Sequence, residues 1–194
     1  MADSPFLIVG GGIGGLSAGL GLARIGRSAH ILEKAPRFEE VGAGLQVGPN
    51  AVCALQYLGA WDAVAPHCVS PAEIQVRDGM SGKVLQRLPL GSGFEKQFGA
   101  PYRVAHRADL HNALLESARS KPGLEFQNNA EVTGISVAET TLSLKSGKEL
   151  NGAAIIAADG VHSGIRKQLL GQPGKSPIGH LLHRGLMPIA SVPA

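Results

Sequence analysis

The hydrophobic positions of the chain follow two periods, which predict strands and helices in alternation. Short apolar runs over residues 6–9 and 153–160 are typical of buried strands in a parallel sheet. From Ile13 onward, Leu16, Leu20 and Ala23 recur with helical spacing, and Gly26 is placed to cap the helix. Residues 28–34 predict a second strand, so the chain begins with a βαβ unit whose two strands are parallel.

The rest of the pattern predicts a mixed chain of helices and strands. A glycine-rich loop is expected over 35–50, and a helix with Leu55 and Leu58 on its apolar side is expected to run to about Ala65. Further elements are predicted in this order: a hairpin over 73–90, a strand over 102–107, a helix over 107–119, a β meander over 124–150, a strand over 153–160 and a helix over 162–171. The fold class is therefore α/β, a Rossmann-like βαβ domain over 1–172 with β insertions at about 73–105 and 130–150.

Composition narrows the classes of function. The chain has 44% hydrophobic and 17% charged residues, which is ordinary for a globular protein. Its net charge of +3 is scattered, without interleaved aromatic residues, so no nucleic-acid partner is expected. Residues 4–23 carry no charge, but seven glycines and one proline among them argue against a membrane span. Cys53 and Cys68 lack metal-ligand spacing and no secretory signal is evident, which predicts a cytoplasmic protein with free thiols and no metal site.

A glycine-rich turn lies between the first predicted strand and helix. Gly10, Gly12 and Gly15 form the pattern GxGxxG in the context that a dinucleotide site requires, because the turn brings backbone N–H groups to a pyrophosphate at a helix N-terminus. Glu33 closes the second strand, where a carboxylate can accept hydrogen bonds from a ribose diol. A glycine-rich packing turn without a ligand is the structural alternative. The overlapping GLSAG matches a hydrolase nucleophile elbow, but Ser17 would lie more than one turn inside the helix.

Four ordered segments resemble the FAD-dependent class A aromatic hydroxylases, nearest to the salicylate hydroxylase group. The segments are IVGGGIGGLSAGLGLARIGRSAHILEK, GAGLQVGPNA, YRVAHRADLHNAL and AAIIAADGVHSGIR. The resemblance covers nearly the whole chain but only about the first half of such an enzyme. It implies FAD as cofactor, NAD(P)H as reductant and a small aromatic substrate that is hydroxylated.

The resemblance also assigns roles to individual residues. The FAD pyrophosphate would be held by Gly10, Gly12, Ile13, Gly14 and Gly15, the adenosine ribose by Glu33 beside Lys34, the flavin ring by Gly44 and Gln46, the flavin or phosphate by Arg107, the adenine by Val132, and FAD again by Asp159 and Gly160.

Two of these assignments have a structural alternative, and one further residue matches the family more loosely. Arg107 could instead pair with Asp109 or Glu116 on the surface, and Asp159 could cap the helix that follows it. Arg184 aligns with an arginine that some fungal relatives place at the active site, which makes it the candidate catalytic residue.

Beyond these four segments the chain departs from the family. The second flavin motif of the family, a GD pair, and most of the substrate-covering sheet are not in the sequence. Residues 173–194 would then be the incomplete start of a substrate domain, in a chain truncated relative to its family. Two functions stay open: the FAD-binding portion of a monooxygenase, or a non-catalytic FAD- or ADP-binding module. Without these parts the sheet would lack a strand and expose apolar surface, which predicts that a second copy or a partner chain covers it.

Overall fold

The computed structural model describes residues 4–39, 42, 44–171, 179 and 188–191. Its strands are β1 (Phe6–Val9), β2 (Ala29–Leu32), β3 (Gly44–Val47), β4 (Cys68–Val69), β5 (Glu73–Arg77), β6 (Val84–Pro89), β7 (Arg103–His106), β8 (Leu124–Gln127), β9 (Val132–Ser136), β10 (Thr141–Leu144), β11 (Glu149–Asn151) and β12 (Ile155–Ala157). Its α-helices are α1 (Ile13–Arg24), α2 (Pro49–Leu58), α3 (Trp61–Val64), α4 (Ser92–Phe98), α5 (Arg107–Arg119) and α6 (Gly164–Leu170).

A four-stranded parallel sheet forms the centre of the fold, in the order β12-β1-β2-β8. Ile8 pairs in register with Ile31 on one side and with Ile156 on the other, so the predicted βαβ unit and the late parallel strand are both confirmed. The prediction for residues 124–127 was wrong, because β8 pairs with β2 in the parallel sheet instead of joining the meander. The meander consists of β9, β10 and β11 alone.

Two hydrophobic cores lie on opposite faces of the parallel sheet. Successive side chains of a strand point to opposite faces, and β1 accordingly sends Ile8 into one core and Leu7 and Val9 into the other. The first core packs the sheet against α1 and α5, and the second packs it against the meander and α6. Complete burial of one such side chain contributes about 1.5–3 kcal/mol, so both faces hold the sheet in place.

The remaining strands of the described residues form two smaller antiparallel sheets. The predicted hairpin is confirmed as β5 and β6, and a second antiparallel sheet has the order β3-β7-β4. The prediction of a loop throughout 35–50 was wrong at its end, since β3 lies within it and pairs with β7. Helix α5 has the predicted bounds.

The predicted long helix after this loop is divided into two. Helix α2 ends at Leu58, and Gly59 adopts a left-handed conformation with φ of 69°. The N–H of Ala60 then donates to the carbonyl of Leu55, at 2.9 Å, which closes the helix end before α3 begins. A glycine inside an apolar helical pattern is compatible with either outcome, and here it terminates the helix.

This architecture brings the ends of several elements to one edge of the central sheet. Because β1, β2 and β12 are parallel, the residues that follow them, Gly10, Glu33 and Ala158, lie at the same edge. A crevice at the carboxyl ends of the strands is where ligands bind in folds of this kind. None of the helices in the described part of the chain combines the length and apolar character needed to cross a membrane.

His30, on β2, makes the stability of this sheet sensitive to pH. Burial lowers the pKa of His30, and Lys148 lowers it further, against the opposing effects of Glu125 and a hydrogen bond with Gln127. The unfolded chain therefore binds a proton at this site more readily than the folded chain does. The contribution to stability is complete above the unfolded histidine pKa, at about 6.5, and is lost as the pH falls through the lower folded value.

We therefore expect the free energy of unfolding to fall between pH 7 and pH 5, and to fall less in a His30→Gln variant. Urea denaturation followed by circular dichroism at a series of pH values measures both slopes. Equal slopes in the two proteins would contradict the prediction.

Candidate functional site

The turn after β1 has no room for side chains. Gly10 has φ of +109°, and a Cβ placed on it would lie 2.3 Å from the carbonyl oxygen of Ala158. A Cβ on Gly15 would lie 1.8 Å from the carbonyl oxygen of Gly10. Real Cβ atoms do not approach backbone oxygens so closely, so both positions require glycine to let the turn pack against β12 and the start of α1.

A pocket of about 720 Å³ opens beside this turn, at the carboxyl ends of the parallel strands. It brings together most of the candidate cofactor-binding residues, although they come from five separate parts of the chain. The candidates that line it are Gly10, Gly12, Ile13, Gly14, Glu33, Lys34, Arg107, Val132, Asp159 and Gly160.

Three candidate residues lie outside the pocket lining, and the placement of a fourth is not described. Gly15 packs inside the turn and does not face the pocket. Gly44 and Gln46 lie on β3, where they pair in register with His106 and Val104 of β7, outside the pocket lining. Arg184 lies outside the described residues.

Ser17 does not have the placement of a hydrolase nucleophile. It is the fifth residue of α1, which begins at Ile13, and so it lies beyond the turn that leaves β1. A nucleophile elbow places its serine on the strand-to-helix turn itself. The geometry therefore does not support the serine hydrolase alternative.

The Glu33 carboxylate is fixed by two backbone groups. Its Oε2 accepts a hydrogen bond from the N–H of Gly11 at 2.8 Å, and its Oε1 accepts one from the N–H of Ala35 at 2.9 Å. Hydrogen bonds to an ionised carboxylate are stronger than those between neutral groups. Each oxygen can accept more than one hydrogen bond, so the carboxylate holds the turn and still presents acceptors to the pocket.

Asp159 and Arg107 line the pocket beside helix N-termini, Asp159 from the loop between β12 and α6 and Arg107 at the start of α5. Oδ2 of Asp159 accepts a hydrogen bond from the N–H of Ile165 at 3.2 Å, which is the capping role that the sequence left as an alternative. Asp159 also lines the pocket, so capping and ligand contact are compatible. Arg107 is the first residue of α5. Its side chain packs against Gly42, because a Cβ placed on that glycine would lie 2.9 Å from Cδ of Arg107.

His111 is a residue of this site that the sequence pattern did not identify. Its side chain is 1% exposed, and its Nε2 lies 2.8 Å from the carbonyl oxygen of Gly11, in the glycine turn. One signal could have found it: His111 lies four residues after Arg107, so both occupy one face of α5. A polar side chain among the apolar Leu110, Leu114 and Leu115 predicts a buried hydrogen bond.

The pocket fits the phosphate-bearing half of a dinucleotide such as FAD. Helix α1 begins without a side-chain cap and without an acidic residue in its first turn, so its first N–H groups stay available to an anion. Lys34 and Arg107 add positive charge to the lining, and Glu33 supplies carboxylate acceptors for hydroxyl groups. The volume is within the range typical of small-molecule sites. Among the described residues, no group of three or more His, Cys, Asp or Glu side chains could hold a metal ion.

Comparisons with known proteins identify the family to which the chain belongs. Residues 3–187 match the family described as FAD binding domain. The chain is 39% identical over 188 residues to 3-hydroxybenzoate 6-hydroxylase of Polaromonas naphthalenivorans (strain CJ2). This alignment covers 96% of the chain and 47% of that protein. The chain spans about half the length of the curated relatives it matches.

Solved structures show the same fold. The tetrameric form of 2-methyl-3-hydroxypyridine-5-carboxylic acid oxygenase matches with a TM-score of 0.74 and 28% identity, over 84% of this chain and 41% of that one. A variant of HpxO from Klebsiella pneumoniae, solved in complex with FAD, matches with a TM-score of 0.73 and 27% identity, over 87% of this chain and 43% of that one. Sequence and fold agree, and the chain belongs to the FAD binding domain family.

Proposed function

We propose that this chain is the FAD-binding portion of an NAD(P)H-dependent monooxygenase that hydroxylates a small aromatic substrate. The observation that carries the proposal is the pocket in which the uncapped start of α1 and the Glu33 carboxylate face the same space. The relatives support the class of reaction, since one is a hydroxylase of 3-hydroxybenzoate and another is an oxygenase of a pyridine carboxylic acid. A cytoplasmic location belongs to the same proposal, supported by the free thiols of Cys53 and Cys68.

In this proposal the residues of the chain bind and orient the cofactor. The N–H groups at the start of α1 would hold the pyrophosphate, with Lys34 and Arg107 offsetting its charge. Glu33 would accept hydrogen bonds from the adenosine ribose, and Val132 would lie near the adenine. The chemistry that FAD supplies when bound is the transfer of electrons from NAD(P)H to activate O₂. The chain contributes position and electrostatics to that chemistry.

A second candidate function is a non-catalytic module that binds FAD or ADP and is completed by another chain. The observation that favours it is the lining of the pocket, because most of the candidate residues there are those proposed to hold the pyrophosphate, the ribose and the adenine, which ADP also contains. A second copy is one partner that would serve, and the pyridine carboxylic acid oxygenase is described as a tetramer.

Titration of the purified chain with FAD and with ADP tests the binding that both candidates share. We expect both ligands to bind, because most of the candidate residues that line the pocket are those proposed to hold the parts of FAD that ADP also contains. Quenching of flavin fluorescence measures the affinity for FAD, and the reversal of this quenching by added ADP measures the affinity for ADP. A chain that binds neither ligand would contradict both candidates.

Oxidation of NADH and NADPH by the FAD-loaded chain separates the two candidates. The monooxygenase proposal predicts that 3-hydroxybenzoate or salicylate raises the rate of oxidation and yields a hydroxylated product, detected by liquid chromatography. Benzene, which lacks the carboxylate and hydroxyl groups, is the control substrate. FAD binding with no stimulated oxidation and no product would favour the binding module.

A further inference from the structure

Gly11, in the middle of the glycine turn, is held from three directions. Its N–H donates to Oε2 of Glu33 at 2.8 Å, and its carbonyl oxygen lies 2.8 Å from Nε2 of His111. The ring of Phe38 covers its Cα, because a Cβ placed there would lie 2.4 Å from Cε1 of that ring. Gly11 is buried and does not line the pocket, whereas its neighbours Gly10 and Gly12 do.

The contact with His111 determines where the next N–H points. The carbonyl of Gly11 and the N–H of Gly12 belong to one planar trans peptide, in which the two groups point in opposite directions. Since the carbonyl is directed toward His111 in the buried interior, the N–H of Gly12 is directed away from it. Gly12 lines the pocket, so this N–H is turned to the side on which an anion would bind.

The chemistry of the contact identifies the form of the imidazole. A carbonyl oxygen only accepts hydrogen bonds, so Nε2 of His111 must carry the proton. Nδ1 is buried and has no hydrogen-bond partner within the described part of the chain. A proton on Nδ1 would be a buried donor without an acceptor, which is costly, so the tautomer protonated on Nε2 alone suits this environment.

We propose that His111 is a positioning residue for the pyrophosphate site, acting through the Gly11–Gly12 peptide and without touching the ligand itself. The proposal rests on the proposed nucleotide binding of this pocket. Without the hydrogen bond from His111, the carbonyl of Gly11 loses the contact that sets its direction, and the N–H of Gly12 is held less firmly toward the pocket. Ligand binding would then have to order this peptide, which lowers affinity.

Two substitutions at His111 test the role by affinity for ADP and FAD. His111→Leu removes the donor, whereas His111→Gln keeps an N–H near the position of Nε2. We expect His111→Leu to bind ADP about tenfold more weakly than the original chain, a change of about 1.4 kcal/mol. We expect His111→Gln to stay within about threefold of the original. Equal affinity of the leucine variant, or no rescue by glutamine, would overturn the proposal.

Measurements on the ligand-free protein separate this proposal from the proposed function. Nitrogen-15 correlation spectra of the imidazole show which ring nitrogen carries the proton, and nitrogen-15 relaxation reports the order of the Gly12 amide. We expect a proton on Nε2, and an ordered Gly12 amide that becomes mobile in His111→Leu but not in His111→Gln. A proton on Nδ1, or an unchanged Gly12 amide in His111→Leu, would refute the role of His111. A chain that keeps these signatures but binds neither ADP nor FAD would refute the proposed function alone.

Discussion

Replacing Gly15 by alanine is expected to lower the free energy of unfolding by more than about 3 kcal/mol. A Cβ at this position would lie 1.8 Å from the carbonyl oxygen and 3.0 Å from the carbonyl carbon of Gly10, and 3.3 Å from Cγ2 of Ile8. The first two are backbone atoms, which cannot move aside as the end of a flexible side chain can. The variant must therefore separate α1 from the turn, and FAD binding should be lost with it.

Gly14 provides a matched control one position earlier in the same helix. A Cβ on Gly14 would meet no atom within 4 Å, and alanine favours a helix over glycine by up to about 1 kcal/mol. Gly14→Ala should therefore keep or slightly raise stability. Urea denaturation followed by circular dichroism compares the two variants. A similar loss in both would show that the close approach of Gly15 to Gly10 is not the cause.

The elements that the sequence predicted well are those set by local pattern. Helix α5 has apolar residues at helical spacing from end to end, with Leu110 and Leu114 one turn apart, and its bounds match the prediction. The β1-α1-β2 unit is similarly local, because its first strand stops at Gly10 and its helix ends before Gly26, which has φ of +71°. In both cases the local pattern of apolar residues and glycines was sufficient to predict the element.

The elements that the sequence missed depend on distant partners. Strand β8 follows a helix and precedes a meander, and nothing in its four residues distinguishes pairing with β9 from pairing with β2. Strand β3 lies in a glycine-rich segment and is a strand because β7 pairs with it. The hydrogen bond between His111 and Gly11 joins residues 100 positions apart. Pairing of this kind is a property of the assembled fold.

The candidate site divides in the same way. The glycine turn and Glu33 follow from the order of strand, turn, helix and strand, and the structure places them around one pocket. Val132 and Asp159 came from the family resemblance, since no local feature connects a strand of the meander with the end of β12. Their side of the pocket is formed where the second core packs against the sheet.

Replacing Glu33 by glutamine is expected to weaken FAD binding at least about tenfold and to lower the free energy of unfolding by about 1–3 kcal/mol. The carboxylate accepts one backbone N–H on each oxygen, from Gly11 and from Ala35. A glutamine amide has a single acceptor oxygen, so one of these N–H groups would face an NH₂ donor instead. The charge that strengthens both hydrogen bonds is also removed.

The control for this variant is Glu125→Gln, which removes the same charge from the neighbouring strand β8. Glu125 is exposed and does not line the pocket. Isothermal titration with ADP and FAD measures affinity, and urea denaturation measures stability. If Glu33 acts only through the overall charge of the domain, both variants should change affinity equally. If it acts through the turn and the ribose, only Glu33→Gln should weaken binding, and the loss should appear with ADP as well as with FAD, because both ligands carry the same adenosine ribose.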